Sequence, residues 1–505
     1  MDRRVYGVET EFGIAHRATA VDGAPSRGLA PDEVARYLFR PVVDWGRSSN
    51  VFIPNGSRLY LDVGSHPEYA TAECADLLEL IAADRAGERI MDDLARRAEQ
   101  AMAADGLDGT VYLLKNNVDS QGNSYGSHEN YLIPRTTHFR RLSTILLPFL
   151  VTRQILCGAG RVVTEAEEAG RELGPHYAFS QRADHMWEGV SSATTRARPI
   201  INTRDEPHAD ASAHRRLHVI VGDSNMSETT QLLRYGSTDL ILRMIESGVP
   251  LGDFELQNPI RAIRAISHDI TGAATVQTRD GRELTAVDVQ SGLLERARRF
   301  VDREGAHHDH LEQVLELWGR TVEAVASGDH SAVDTEIDWA IKRRLIDDVA
   351  SRGDLGLGDP RLGQIDMAYH DIRPDRGLHH MLVRRGRSQS LLSDERIDAA
   401  VLNPPTGTRA AVRGRFLSTA RAFGAGHAVD WVHHKLVDRP LEAIMLKDPF
   451  ETESFRAEAL LDTLGDREAV LRELTVAERL DQPVPPALSE RYEVTAGSVP
   501  PPPVI

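Results

Sequence analysis

Cysteine is nearly absent from this chain, which has two cysteines in 505 residues. Cys74 and Cys157 have no metal-type spacing and provide no framework of disulfide bridges, which fits a reducing compartment. Long apolar runs are also lacking, since the longest, Ile145–Val151, is short and contains a proline. The opening residues, Met1–Arg4, lead into a charged strand rather than the apolar core of a signal peptide. We therefore expect a cytoplasmic protein with no membrane partner.

The chain has fewer basic residues than acidic ones. The chain has 59 lysine and arginine residues against 76 acidic ones, a formal net charge of -17. A phosphate backbone would be repelled overall, so we expect no nucleic-acid partner. The sequence also lacks a Gly-x-x-x-x-Gly-Lys-Ser/Thr loop and the signature motifs of protein kinases. Any ATP site must therefore be built on a sheet.

The most informative segment begins at Arg58. Up to Val63, apolar and polar residues alternate, so an extended strand would turn its apolar side chains to one face. The opposite face would carry Arg58, Tyr60 and Asp62. A turn containing glycine and proline would then return Glu68 to the same neighbourhood. Taken alone, such alternation has a simpler interpretation, a half-solvated strand.

A second acidic strand is predicted at the N-terminus. Within Val5–Gly13, Glu9 and Glu11 share one strand face, and the flanking glycines allow close approach of a ligand or another backbone. Two adjacent carboxylates repel each other unless a cation or water lies between them. If this strand neighbours the one beginning at Arg58, these acids, Glu68 and Glu73 become hard oxygen ligands, which suit magnesium better than zinc. A solvated acidic face is the alternative interpretation.

The order of elements predicts an α+β fold with helices covering a sheet, because strand-like segments are separated by long helical ones. At 41% hydrophobic residues, the chain can bury a large core. The patterns favour helices over 31–39, within 75–104, over 311–325 and over 335–346, and strands at 111–114, 127–132, 198–204, 215–222, 429–432 and 446–450. We expect a main domain over 1–403, a small C-terminal domain over 404–480, and a proline-rich, disordered tail over 481–505.

The polar strand faces indicate phosphoryl chemistry. Carboxylates that hold a cation, with arginines nearby, match what ATP requires during phosphoryl transfer. Asp62 lies beside the prospective metal ligands and is a candidate general base. His218 could contact phosphate or lie beside the metal, although a satisfied strand histidine is the simpler interpretation. Trp431 could stack on a base, although a core residue is the simpler interpretation.

Several motifs together resemble the Pup ligase and Pup deamidase family of carboxylate-amine ligases, over Arg3 to about Phe450. They are Gly7–Gly13, Asn55–Thr71, Trp187–Arg196, Asn202–Asp210 and Asp334–Trp339. The resemblance implies a glutamine-synthetase-like domain, in which a curved, antiparallel-rich sheet packed by helices cradles ATP and Mg2+. A small C-terminal domain would follow it.

The resemblance also implies a two-step ligation that marks proteins for proteasomal degradation. ATP would phosphorylate the γ-carboxylate of the C-terminal glutamate of Pup, a small disordered modifier. A lysine ε-amine of a target protein would then displace phosphate. The family pattern makes Asp62 the base, Glu9, Tyr60 and Glu68 the magnesium contacts, and Arg58, Thr71 and Trp431 the ATP contacts. Secondary candidates are Glu11, Glu73, Arg204, Arg216 and His218.

Other functions remain open on the sequence. The main alternative is the Pup deamidase and depupylase of the same fold, a hydrolase whose motif resembles Val-Asp-His-Ala-His-Pro-Glu-Tyr, with a long loop before it. Here Asp62–His66 follows the ligase pattern and Gly13–Pro31 is short, which favours the ligase. A ligase of free glutamate and a small amine is another possibility. A non-catalytic Pup-binding adaptor is disfavoured because the motif acids are intact.

Overall fold

A computed structural model of the chain describes residues 3–19, 28–62, 64–119, 122–164, 166–168, 171–192, 198–438 and 442–465. These residues form two compact units. The first unit is built from segments within 1–4, 114–205 and 216–392, and the second unit from segments within 5–113, 206–215 and 393–505. None of the described helices is long and apolar enough to cross a membrane.

The strands in chain order are β1 Tyr6–Glu11, β2 Gly13–Ala18, β3 Asn50–Phe52, β4 Arg58–Leu61, β5 Pro67–Ala70, β6 Gly109–Leu114, β7 Ser127–Pro134, β8 Arg161–Val163, β9 Ala166–Glu168, β10 Arg171–Leu173, β11 His176–Ala178, β12 Glu188–Ser191, β13 Pro199–Asn202, β14 His214–Val219, β15 Thr275–Gln277, β16 Glu283–Thr285, β17 His427–Val429, β18 His433–Leu436 and β19 Ile444–Met445.

The α-helices are α1 Pro31–Gly46, α2 Leu77–Ala104, α3 Phe139–Thr152, α4 Gln154–Cys157, α5 Glu228–Glu246, α6 Pro259–His268, α7 Ala286–Glu304, α8 Leu311–Ser327, α9 Asp338–Gly353, α10 Pro360–Tyr369, α11 Leu378–Arg384, α12 Asp394–Leu402, α13 Ala410–Ala422 and α14 Phe455–Asp462. Strands and helices are thus interspersed, with mostly antiparallel pairing. The predicted α+β class is confirmed.

The second unit is organised around strands in the hydrogen-bonded order β1–β5–β4–β3, and each of these pairs is antiparallel. Alternate residues of β1 point to opposite faces. Val8 and Thr10 are buried, and the Thr10 hydroxyl donates to Asp84 Oδ1 of α2 at 3.0 Å. Glu9 and Glu11 therefore share the face opposite to the one that α2 covers.

Helix α2 packs closely on this sheet. Asp76 caps its first turn by accepting from the Glu79 backbone N–H at 3.0 Å, which satisfies a donor that the helix cannot. A Cβ on Gly87 would lie 2.4 Å from the Tyr69 ring, so only glycine lets this buried tyrosine reach the helix. The helices predicted within 75–104 are in fact one unbroken helix.

The C-terminal part of the second unit has an apolar cluster of its own. It gathers side chains of α13, β18, β19 and α14 and of the segment after β19, namely Val412, Phe416, Ala420, Leu436, Ile444, Leu446, Ala457, Leu460 and Leu461. The small C-terminal domain itself stays a prediction, since this part belongs to the same compact unit as residues 5–113. The boundary at 403 and the tail stay predictions, and residues 466–505 lie outside the described residues.

Two strand predictions in this part are wrong. Residues 430–432 form the turn between β17 and β18, because Asp430 Oδ1 accepts from the backbone N–H groups of Val432 and His433, each at 2.7 Å. Such an aspartate favours a turn over an extended strand. The segment 446–450 also lies outside the strands.

The first unit contains strands in the order β12–β13–β14–β7, with β12 parallel to β13 and β14 antiparallel to it. The strands predicted at 127–132, 198–204 and 215–222 and the helices predicted over 311–325 and 335–346 are confirmed. The last of these helices starts at Asp338 rather than at 335. The Glu336 carbonyl accepts from three hydroxyl groups of α5 and its N-cap residue, which holds the preceding residues in turns.

Candidate active site

The polar hairpin predicted from the sequence is present. β4 pairs with β5 so that Tyr60 lies opposite Glu68. Between them, the Asp62 backbone N–H donates to the His66 carbonyl at 3.0 Å and closes the turn. Gly64 has a φ of 93°, a left-handed conformation that glycine adopts without strain. This turn returns Glu68 to the strand that carries Tyr60, as predicted.

Strand β1 reaches the hairpin through β5. Glu11 lies opposite Glu68, and Glu9 lies opposite Ala70. The two strands considered as neighbours in the sequence analysis, β1 and β4, are thus separated by β5. The tight turn after Asp62 folds β5 back against β4 and leaves the other edge of β5 for β1. Because Glu68 faces both neighbours, the acids still meet.

Carboxylates from three elements converge at this point. One oxygen from each of Glu11, Asp62 and Glu68 lies within 4.8 Å of the others. Glu9 is close enough for its charge to act on Glu68 and Tyr60. We call Glu9, Glu11, Asp62 and Glu68 the acidic face. Glu11, a secondary candidate from sequence, is one of its members, and its i, i+2 spacing from Glu9 was the available signal.

Charge repulsion within the acidic face is strong. Burial raises the pKa of Glu68 well above its usual range, and the neighbouring Glu11 and Glu9 raise it further. The Tyr60 hydroxyl donates a hydrogen bond to Glu68 Oε1, which acts in the opposite direction and lowers the pKa of Glu68. Burial, and then the charge of Glu68, also raises the pKa of Tyr60, so this phenol stays protonated.

The acidic face fits a magnesium ion. Its donors are carboxylate oxygens, the hard ligands that Mg2+ selects, and a phenol oxygen lies beside them. Burial and the neighbouring charges of Glu11 and Glu9 all disfavour the ionised form of Glu68, which raises its pKa. A divalent cation would remove this repulsion.

Arg58 and Thr71 lie at the same end of the β4–β5 pair, the end away from the turn, because Arg58 is paired with Ala70 and Thr71 follows Ala70. Arg58 is partly exposed, with its guanidinium carbon 4.6 Å from the Tyr60 ring centroid and its Nε donating to Asn50 Oδ1 at 2.7 Å. Thr71 is buried directly after β5. Its hydroxyl oxygen accepts from the Val8 backbone N–H at 3.0 Å, which ties the end of β5 to β1.

Trp431 is not a simple core residue, since it is only half-buried. Its ring meets Phe52 of β3 edge-on, with ring centroids 4.8 Å apart and an interplanar angle of 88°. The guanidinium carbon of Arg413 lies 5.0 Å from the Trp431 ring centroid. Trp431 thus retains exposed surface within the second unit, which a stacking ligand needs.

Glu73 does not belong to the acidic face. Its carboxylate is buried and paired with Arg409 Nε at 2.8 Å and with both terminal nitrogens of Arg413. Burial alone would raise the pKa of Glu73, but Arg413 and then Arg409 outweigh it and lower the pKa to about 2. The suggestion that Glu73 binds metal is corrected, because two guanidinium groups already neutralise it. Sequence reasoning missed both arginines as partners, although their i, i+4 spacing places them on one side of α13.

The remaining secondary candidates belong to the first unit. The Arg204 backbone N–H donates to Asn202 Oδ1 at 2.8 Å, and Arg216 Nη1 donates to Asn130 Oδ1 at 3.2 Å. His218 is buried, with its ring centroid 5.2 Å from that of His128. Their roles stay predictions.

The second unit therefore presents a carboxylate-rich sheet face, flanked by an arginine and a half-exposed tryptophan, and this is a site suited to a cation and a phosphate-bearing substrate. Residues 4–435 match the model of the Pup-ligase protein family. The chain belongs to this family. The resemblance drawn from its motifs is confirmed, and with it the prediction of a ligase.

Relatives and solved structures agree with this assignment. The Pup--protein ligase of Paenarthrobacter aurescens (strain TC1) is 58% identical over 465 residues, which span 92% of this chain and 100% of that protein. A crystal structure of Pup in complex with its ligase PafA matches with a TM-score of 0.85 and 48% identity, covering 92% of each chain. A structure of the Pup ligase PafA with ADP matches with a TM-score of 0.79 and 50% identity, covering 88% of this chain and 95% of that one.

Proposed function

We propose that this chain uses ATP to join the C-terminal glutamate of Pup to lysine ε-amines of target proteins. The observation that carries the proposal is the meeting of Glu11, Asp62 and Glu68 oxygens within 4.8 Å on one sheet face. The close relatives that carry the name Pup--protein ligase support it, as do the similar structures described with Pup and with ADP.

Glu9, Tyr60 and Glu68 hold Mg2+ in this proposal, and Glu11 lies near enough to contribute. When bound, the cation neutralises phosphate oxygens and so favours transfer of the terminal phosphoryl group. The protonated Tyr60 contributes its oxygen and donates to Glu68, which fixes the orientation of that carboxylate.

Three residues contact ATP in this proposal. Arg58 places a partly exposed guanidinium beside Tyr60, where it can pair with phosphate oxygens. Thr71 retains a hydroxyl proton to donate, because its oxygen accepts from Val8. Trp431 offers a half-exposed ring on which the base can stack.

Asp62 acts in the second step. A free carboxylate is a poor electrophile, whereas the γ-glutamyl phosphate of Pup is a good one. The lysine amine attacks its carbonyl carbon, a C–N bond forms, the C–O bond to phosphate breaks, and the amine proton passes to the Asp62 carboxylate. Asp62 is exposed at the hairpin turn, so a lysine on a folded protein can reach it.

Conjugation on a gel tests this function directly. With glutamate-ended Pup, ATP, Mg2+ and a lysine-bearing protein, we expect a conjugate band that grows with time and requires ATP. Release of Pup from a purified conjugate would instead support the hydrolase. Consumption of free glutamate and a small amine without Pup would support a small-molecule ligase. Binding of Pup without any turnover would support a non-catalytic adaptor.

The family pattern extends the proposal to the rest of the chain. We assign a glutamine-synthetase-like catalytic domain to residues 1–403 and a small domain to 404–480. We place the protein in the cytoplasm, on the argument that both cysteines are free and buried.

The turn between β4 and β5 should determine the position of Asp62 and therefore the ligation rate. Gly64→Ala should lower the ligation rate about tenfold, since alanine in a left-handed conformation costs roughly 1–2 kcal/mol and the turn can relax by moving Asp62. The added Cβ would also lie 3.3 Å from the His66 ring. ATP affinity should change little. Initial conjugation rates and ATP titrations measure both effects.

Gly106→Ala is the matched control. Gly106 follows α2 with a φ of 78°, and an added Cβ meets nothing within 4 Å. This variant carries similar backbone strain away from the acidic face, so it should lose stability but keep its ligation rate. Equal rates for the two variants would count against a role for the turn in placing Asp62.

A further inference from the structure

Arg413 is a fully buried cation whose contacts join three parts of the second unit. It lies on α13 and pairs with Glu73, two residues beyond Thr71. Its Nε donates to the Gly56 carbonyl at 3.0 Å, just before β4, and its Nη1 donates to the Trp431 carbonyl at 3.3 Å. One side chain thus connects the ends of β4 and β5 to the turn that carries Trp431.

Arg413 also contacts two aromatic rings. Its guanidinium carbon lies 5.2 Å from the Phe52 ring centroid and 5.0 Å from that of Trp431. A planar guanidinium can bind an aromatic face and donate hydrogen bonds in its own plane at the same time. Phe52 meets Trp431 edge-on. The Trp431 ring is therefore held by Arg413 and by Phe52 and keeps part of its surface exposed.

The ion pair with Glu73 fixes the position of the guanidinium. Glu73 accepts from both terminal nitrogens of Arg413, a two-pronged geometry that restricts rotation. The carboxylate stays ionised across the physiological range because the pKa of Glu73 is about 2. Arg413 is therefore held in place before any ligand arrives.

We propose that Arg413 is a positioning residue for the base of the bound nucleotide, because it holds Trp431 in a stacking orientation relative to the ends of β4 and β5. The inference rests on the proposed function, which assigns Trp431 to ATP. Its consequence is specific. Arg413 should affect affinity for the base and have little effect on affinity for the phosphates.

The test compares R413K with R409K in the full chain. Lysine keeps the charge of Arg413 but loses the planar group that meets two rings and Glu73 together. Arg409 is the matched control, since it is also buried and also pairs with Glu73, whereas its Nη1 donates to the Leu446 carbonyl at 2.8 Å. The ligands are ATP and tripolyphosphate, which lacks the base, each titrated calorimetrically with Mg2+.

We expect R413K to weaken ATP binding about tenfold and to change tripolyphosphate binding by less than about twofold. KM for ATP should rise more than kcat falls. R409K should show no such selective loss. An equal loss for both ligands, no loss for either, or the same selective loss in R409K would overturn the inference.

Two further variants keep the test decisive. If R413K does not fold, as judged by its thermal melt, F52L replaces it, because that change removes the edge contact on Trp431 without altering charge. Unchanged ATP affinity in folded F52L would then overturn the inference.

W431A separates the proposed function from the inference about Arg413. If W431A leaves ATP affinity unchanged, the assignment of Trp431 to ATP fails, and the inference fails with it. If W431A weakens ATP binding and R413K does not, the inference alone fails.

Discussion

Asp62→Asn should reduce conjugation by about a hundredfold to ten-thousandfold, the usual contribution of a general base. The amide cannot accept the lysine proton at neutral pH, while its size and its place in the hairpin turn are preserved. ATP affinity should stay near that of the wild type, because our proposal assigns Mg2+ to Glu9, Tyr60 and Glu68 and assigns the nucleotide to residues other than Asp62. Rates of conjugate formation and calorimetric ATP titrations check both statements.

Hydroxylamine separates the two chemical steps in this variant. It is uncharged near neutral pH and needs no base to become a nucleophile, so Asp62→Asn should still form the hydroxamate of Pup when ATP is present. The residual lysine reaction should accelerate with rising pH, as more of the amine loses its proton. Asp44→Asn, an exposed change on α1, serves as the matched control and should behave like the wild type. Unimpaired conjugation by Asp62→Asn would remove Asp62 from the mechanism.

Glu68→Gln should abolish the stabilisation that Mg2+ gives and lower conjugation by about a hundredfold or more, equivalent to roughly 3 kcal/mol. The glutamine oxygen can still accept from Tyr60, so the hairpin should fold. Without divalent ions, the variant should be more stable than the wild type at pH 8, because it removes a carboxyl whose ionised form is disfavoured by burial and by the charges of Glu11 and Glu9. Thermal melts with and without Mg2+ measure both effects.

The pH dependence follows from the raised pKa of Glu68. In the folded state this carboxyl binds its proton more tightly than in the unfolded chain, where its pKa has the ordinary value near 4.5. Its contribution to stability is fully present below that value and is lost as pH rises through the folded pKa. The free energy of unfolding of the metal-free wild type should therefore fall with rising pH, and Mg2+ should restore more of it at pH 8 than at pH 6. Glu68→Gln should flatten both trends.

Glu79→Gln is the control for this experiment. Burial also raises the pKa of Glu79, which lies on α2 and accepts from the backbone N–H groups of Thr406 and Ala75. This variant removes one acidic charge from the second unit away from the acidic face, so its response to Mg2+ should match that of the wild type. A full Mg2+ response in Glu68→Gln would contradict the proposed metal site.

The sequence predicts the arrangement of site residues correctly where residues close together in the chain determine it. Alternation placed Arg58, Tyr60 and Asp62 toward one face, and turn residues returned Glu68 beside Tyr60. Strand order was less accessible, because alternation does not specify which strand pairs with which. Only the structure places β5 between β1 and β4.

Distant partners account for the main errors about the site. Glu73 follows the same acidic motif as Glu68, and nothing near it in sequence indicates Arg409 and Arg413, which lie more than three hundred residues further along the chain. Trp431 falls within the segment 429–432, for which the sequence predicts a strand. The hydrogen bonds of Asp430 instead make that segment a turn, which leaves the tryptophan ring half-exposed.

Crystals grown with Mn2+ in place of Mg2+, together with a nucleotide, offer the most direct test of the account. Anomalous scattering locates manganese independently of any assumed ligand. We predict a peak within coordination distance of the Glu68 and Glu9 carboxylates, on the sheet face opposite α2. A nucleotide-bound crystal whose manganese lies elsewhere, with Glu9 and Glu68 bound to no ion, would contradict it.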